Sequence, residues 1–299
     1  MSTQGAPERH RGQRLAQIGL LINALLTVVK LVAGLVGNAY ALVADAIESA
    51  TDMVGSIVVL SGLRIASRDP DDRYPFGYGR AEALAAATVS ALMFGAAAGI
   101  AIEAISEIRT PHHAPASWTL GVLAAVIIVK QLLATNVLAA GTASGSVVVK
   151  ADAWHHRSDA ITSGAAFIGI TVALVGGPGW EAADDWSALV ASGVICANGL
   201  MLLRVALAEL MDRAPEPALL ALVSEAARST PGVRAIEKLK VRRSGTALYV
   251  DIHVQAEPTL SLHDAHILSG RVKSAIRQQV PSALGVLIHM EPYEPPEVV

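Results

Sequence analysis

Residues 44–52 read Ala44-Asp45-Ala46-Ile47-Glu48-Ser49-Ala50-Thr51-Asp52. These three carboxylates stand inside a mostly apolar run that extends from 40 to 64. A run of ~20 such residues is long enough to cross a bilayer as a helix. An acid at the centre of such a helix costs about 2.5–3.5 kcal/mol on insertion scales, so its presence points to function. A second stretch repeats the form, Ala151-Asp152-Ala153-Trp154-His155-His156-Arg157-Ser158-Asp159, within the run 149–176. Both fit Ala-Asp-Ala-x-ligand-x-x-x-Asp.

Working outward, six runs qualify as spans: 14–36, 40–64, 81–108, 118–140, 149–176 and 185–211. Turn residues separate them, as at Gly37-Asn38, Asp69-Pro70 and Gly176-Gly177-Pro178-Gly179. Small residues are dense in Ala85-Ala86-Ala87 and Gly95-Ala96-Ala97-Ala98-Gly99, where they would let helix backbones approach in lipid. Arg9, Arg11, Arg14, Arg64, Arg68, Arg73, Arg80, Lys150 and Arg213 fall on one side and only Arg109 on the other. The excess of basic loops marks the cytoplasmic side, so both termini are expected there, with the chain spanning the cell (inner) membrane several times. Lys30 and Lys130 lie inside spans and read as snorkelling or paired.

Composition agrees. Charged residues make up 16% of the 299, against about 25% in a soluble domain. Apolar residues make up 53% and mean hydropathy is +0.47. A disordered chain, a nucleic-acid-binding module and an ordinary cytosolic enzyme are excluded. Net charge is −3, which suggests no polyanion partner, and Cys196, the single cysteine, leaves no thiolate cluster for soft metals.

Charge returns in residues 215–299, which hold 18 of the 49 charged side chains. There 216–229 reads as an amphipathic helix, 233–243 and 247–255 as strands about Ser244-Gly245, 261–280 as a helix with Ser261 as N-cap, and 286–288 as a last strand. The predicted fold is an all-α six-helix transmembrane bundle over 14–211, after a cytoplasmic segment 1–13. A small α/β domain of α-β-β-α-β order, ferredoxin-like, covers 212–299. Its small core favours association with a second copy.

The acids suit a metal. With the N-terminus inside, the second span runs inward and the fifth outward, so the two three-span halves form an inverted repeat. At a 1.5 Å rise per residue, Glu48, Asp52, His155 and Asp159 all fall near mid-bilayer. Residues i and i+4 share a helix face, so two helices offer four ligands. Three carboxylates and one imidazole suit tetrahedral Zn²⁺; Fe²⁺, Mn²⁺, Co²⁺ and Cd²⁺ also fit. Protons compete for the same groups. Asp45 and Asp152 sit one turn earlier. They read either as partners of the helix dipole or as lead-in carboxylates on the outer and inner sides.

With these residues in view, the sequence resembles the cation diffusion facilitator family, exporters of divalent metals in exchange for protons. The likeness rests on the four-ligand pattern, on Pro75-Phe76-Gly77-Tyr78-Gly79-Arg80-Ala81-Glu82, and on Ala-Asp-Ala-x-His-x-x-x-Asp. It implies a homodimer working by alternating access, with Glu48, Asp52, His155 and Asp159 as transport site. The family's first ligand is commonly His or Asp; here it is Glu48. Tyr74, Tyr78 and Arg80 replace His, His and Lys of the usual loop, so a loop metal site is reduced to Asp71 and Asp72. Arg80 and Asp212 match a charge pair that holds the dimer near the membrane surface. His253, His266, His289 and Glu291 match the ligands of a cytoplasmic regulatory metal site, and Glu237 replaces a His.

The expected function is proton-driven efflux of a divalent cation, Zn²⁺ first, with no catalytic cofactor and no nucleic-acid partner; membrane lipid, metal ions and protons are the partners. The protein is not expected to be an enzyme. Two alternatives are an intramembrane metalloenzyme, which four ligands and the lack of His-Glu-x-x-His oppose, and a membrane-anchored metal sensor.

Overall fold

The structure, a computed structural model, describes residues 5–109, 115–144, 163–177 and 179–294. Its helices are α1 (Gly5–Val36), α2 (Tyr40–Ala66), α3 (Ala81–Arg109), α4 (Trp118–Ser144), α5 (described over Ser163–Val175), α6 (Ala183–Leu210), α7 (Pro217–Arg228) and α8 (Leu262–Gln279). The strands are β1 (Ala235–Ser244), β2 (Ala247–Ala256) and β3 (Ala283–Pro292). This is a helical membrane region followed by a small α/β domain of the predicted order.

Among the described residues, α2, α3 and α6, with 27, 29 and 28 residues, are long and apolar enough to cross a membrane. Leu21–Val36, Trp118–Leu132 and Ser163–Val175 form shorter apolar helical stretches. Helix α1 shows why these are membrane elements. Leu21, Leu25, Val28, Val32 and Leu35 are exposed at helical spacing, whereas Asn23, Thr27 and Lys30 are buried on the other side. A water-soluble helix does the reverse; here lipid is the solvent for the apolar stripe.

The chain forms two compact units. The first comprises Met1–Ile57 and Val89–Met201. Ala33, Ala41, Leu42, Leu123, Ala166 and Ile170 pack α1, α2, α4 and α5 together. Ala44, Ala97, Ile100, Ala104, Ala188 and Ile195 pack α2, α3 and α6. Helix α2 thus belongs to both clusters. Close approach of α5 and α6 requires Gly169: a Cβ there would stand 2.4 Å from Ser187 Cβ. Gly95 and Gly99 differ from the expectation. A Cβ at either meets nothing within 4 Å among the described residues, so it is Ala97 between them, and not the glycines, that packs.

The second unit comprises Val58–Thr88 and Leu202–Val299. Antiparallel β1–β2 and parallel β2–β3 pairing gives a sheet of order β1-β2-β3. Leu248, Val250, Ile252 and Val254 alternate inward from β2 and pack with Val223 and Ala226 of α7 and Leu268, Val272 and Ile276 of α8. Tyr249, Asp251, His253 and Gln255 therefore lie on the sheet face away from that core. Ser261 caps α8, accepting the Asp264 backbone N–H at 3.1 Å, as its sequence predicts. Strand β3 is much longer than the predicted 286–288. Pairing with β2 carries His289 to Pro292, whose polar residues alone give no strand signal, into the ladder.

Residues 58–88 join this unit through their loop. The Tyr249 hydroxyl donates to the Phe76 carbonyl at 2.6 Å, and the Arg242 guanidinium lies 5.7 Å from the Phe76 ring and 5.4 Å from the Tyr249 ring. Gly79 lets the backbones meet, because a Cβ there would stand 2.4 Å from the Ser244 carbonyl oxygen.

Candidate functional site

Glu48 and Asp52 are the ninth and thirteenth residues of the 27-residue α2, so Asp52 lies one residue from the helix midpoint. Both are half-buried on a helix whose neighbouring positions are apolar or small. Their spacing of four puts both carboxylates on one face. His155, Asp159 and Asp152 lie outside the described residues.

Asp45 departs from both expected roles. It is the sixth residue of α2, beyond the first turn, and is 3% exposed. Its Oδ1 pairs with Lys30 Nζ at 3.0 Å and its Oδ2 accepts from Ser163 Oγ at 2.8 Å. An acid so enclosed presents no charge to the outer solution, so a lead-in role has no physical basis. Lys30 does not snorkel: it is 0% exposed.

Two structural acids gave no signal in the sequence. Asp184, at the start of α6 and 1% exposed, accepts the backbone N–H of Tyr40 at 2.7 Å and of Ala41 at 3.2 Å. It therefore caps α2 from another helix. Glu107 accepts the Tyr40 hydroxyl at 3.1 Å. Sequence reasoning looks for caps next to the helix they serve, and this one stands 144 residues away.

In the loop, Asp71 Oδ1 accepts the N–H groups of Arg73 and Tyr74 at 2.9 and 2.8 Å, and Oδ2 accepts the Tyr78 hydroxyl at 2.6 Å. The Tyr78 hydroxyl and then the Tyr74 N–H hold this carboxyl below its ordinary value, and Asp71 in turn raises the Tyr78 phenol. Asp71 shapes the turn with the oxygens a metal would need, and Asp72 beside it is exposed. Because the Asp71 pKa is depressed, its hold on the loop is complete above about 3.9, the ordinary value, and is lost as pH falls through the lowered one. Tyr78→Phe should move that loss to higher pH, read by hydrogen exchange over 69–80; an unchanged profile refutes this.

Arg80 Nη2 meets Asp212 Oδ1 at 2.6 Å within one chain, and Arg242 Nη1 reaches Asp212 Oδ2 at 3.4 Å. Asp212 adopts a left-handed backbone, φ 56°, just past α6, and so turns its side chain toward both arginines.

On the open face of the sheet, parallel register sets His253 of β2 directly against His289 of β3. Their rings are 4.9 Å apart. Glu291 Oε1 stands 2.7 Å from His253 Nδ1 and 3.5 Å from His289 Nε2. Ligand atoms of His253, His289 and Glu291 all lie within 4.8 Å of one another, the arrangement a divalent ion occupies by displacing protons. A β-bulge between Ile236 and Leu239 re-aims Glu237. Hydrogen bonds to Glu291 and then to Lys238 hold its carboxyl below the usual range. His266 stands apart, exposed on α8 in the layer behind the sheet. His253→Ala with His289→Ala should weaken Zn²⁺ binding to this domain at least about tenfold. Equilibrium dialysis checks this; unchanged binding in the double variant removes the site.

Comparison with known proteins agrees over nearly the whole chain. Residues 16–211 match the cation efflux transmembrane domain and residues 215–293 the cytoplasmic domain of cation efflux proteins. Metal tolerance protein 2 of Oryza sativa subsp. japonica is 32% identical over 310 residues, covering 95% of this chain and 79% of that protein. Magnetosome protein MamB of Magnetospirillum gryphiswaldense is 31% identical over 268 residues, 89% of each chain. Manganese efflux system protein MneP of Bacillus subtilis is 29% identical, covering 96% of this chain and 99% of its own. With an apolar helix bearing mid-span carboxylates and a sheet bearing a His-His-Glu group, the chain belongs to the cation efflux (cation diffusion facilitator) family of membrane transporters, and is not an enzyme.

Proposed function

We propose that this protein exports Zn²⁺ across the cell membrane in exchange for protons, with Glu48, Asp52, His155 and Asp159 as the transport site. The observation that carries this is the pair of carboxylates, four residues apart, at the middle of the membrane-spanning α2. Three carboxylates and an imidazole hold about one net negative charge more than a +2 ion neutralises when all are ionised. The ion is therefore drawn from the cytoplasm into an inward-open site. After the switch to the outward-open state, protons from the outer side neutralise the same groups and release it. The proton gradient restores the cycle. Both termini are cytoplasmic in this reading.

The protein works as a homodimer. His253, His289 and Glu291 provide three ligands of a regulatory metal, and a second copy supplies what the open face lacks, with His266 as one candidate donor. The Arg80–Asp212 pair steadies each chain at the membrane surface.

Mn²⁺ is the second reading. Three of the four proposed ligands are carboxylates, which suit a harder ion than zinc, and the B. subtilis relative is named for manganese efflux. The test is a panel of Zn²⁺, Mn²⁺, Fe²⁺, Co²⁺ and Cd²⁺ in proteoliposomes with an imposed pH gradient. Zinc flux that rises with the gradient and collapses with a protonophore is expected. Flux indifferent to the gradient refutes antiport, and flux of Mn²⁺ with none of Zn²⁺ selects the second reading.

A further inference from the structure

Lys30 of α1 and Lys130 of α4 are the largest fully buried side chains among the described residues, 0% and 1% exposed. An ammonium inside a membrane domain is costly unless acceptors surround it. Lys30 Nζ donates to the Asp45 carbonyl oxygen at 2.9 Å and to Ser49 Oγ at 2.7 Å, and stands 3.0 Å from Asp45 Oδ1 as an ion pair. All three oxygens come from one turn of α2. Lys130 Nζ donates to the same Ser49 Oγ at 3.4 Å, and Ser163 Oγ of α5 donates to Asp45 Oδ2 at 2.8 Å. Side chains of α1, α4 and α5 thus converge on a single turn of α2.

That turn adjoins the proposed ligands. Glu48 directly precedes Ser49, and Asp52 follows it by three residues, on an adjoining part of the helix surface. Ser163 lies four residues beyond Asp159 in the sequence.

We propose that Lys30, held by Asp45 and Ser49, is a positioning residue for metal transport. It fixes the turn of α2 that carries Glu48 and Asp52, and Lys130 and Ser163 join that turn to α4 and α5. This rests on the assignment of Glu48 and Asp52 as ion ligands.

The test is Zn²⁺ flux in proteoliposomes of the full chain, with initial rates over a range of Zn²⁺ concentrations. Lys30→Met is compared with wild type and with Asp52→Ala. Charged buried hydrogen bonds are each worth a factor of ten or more, so KM should rise about tenfold or more in the folded protein. A packing role would lower the yield of folded protein and leave the KM of what folds unchanged. Lys30→Met strands Asp45 and can prevent folding. Lys30→Met with Asp45→Asn removes the ion pair together and should fold with the same raised KM. Wild-type KM and maximal rate in either variant, with flux absent from Asp52→Ala, overturns the positioning role alone. Wild-type flux in Asp52→Ala overturns the ligand assignment and the positioning role with it.

Discussion

Asp52→Ala is expected to abolish proton-driven zinc flux, with a fall of about a hundredfold or more; even outer-shell partners of metal ligands cost ~10–100-fold when lost. Asp52 sits one residue from the midpoint of α2, so a place at the helix end does not explain an acid there. Its removal relieves α2 of an insertion cost of about 2.5–3.5 kcal/mol. The variant should therefore fold at least as well as wild type while failing to transport. That combination separates a ligand from a packing residue. Monodisperse protein by size exclusion, with flux at background in proteoliposomes, is the expected pair of measurements. Wild-type flux refutes the assignment. Asp159→Ala should behave the same way if its carboxylate shares the ion.

The second large effect is on stability. Asp184→Ala should cost about 2–4 kcal/mol in the membrane region, combining a lost helix cap with stranded buried donors. Two opposing effects decide the sign. Burying the Asp184 carboxylate, 1% exposed, is unfavourable in itself. Deleting it, however, leaves the N–H groups of Tyr40 and Ala41 without their acceptor, at the positive end of the 27-residue α2. Buried as they are, the orphaned donors cost more than the charge did, because nothing else in the site replaces the carboxylate. Thermal unfolding in detergent should shift down by about 5 °C or more. Asp184→Asn keeps an acceptor oxygen and should lose less. An unchanged midpoint for the alanine variant refutes the cap.

Residue by residue, legibility followed the range of the interactions concerned. The spans α2, α3 and α6 were read nearly to their ends, since an apolar run and its bounding turn residues are local properties. The same holds for α7, α8 and Ser261. The pair Glu48 and Asp52 was legible because an acid in an apolar run is visible without any neighbour. Strand β3 was read at less than half its length, since pairing with β2, not the propensity of His289 to Pro292, makes it a strand. Asp71 looked like the remnant of a metal site, whereas its oxygens are engaged in shaping the loop. The family resemblance puts His253, His266, His289 and Glu291 in one site; that His266 stands apart from the other three within one chain depends on the layer its helix occupies.

The solvent of each region, the element order and the acids worth a function are all local properties of the chain, because hydropathy and helical or strand period act over a few residues. The partners of the buried charges came only with the fold: Lys30 with Asp45 and Asp184 with the start of α2, pairs 15 and 144 residues apart. A buried charge must find an opposite charge or a donor somewhere in the fold, but only packing settles which one stands within reach.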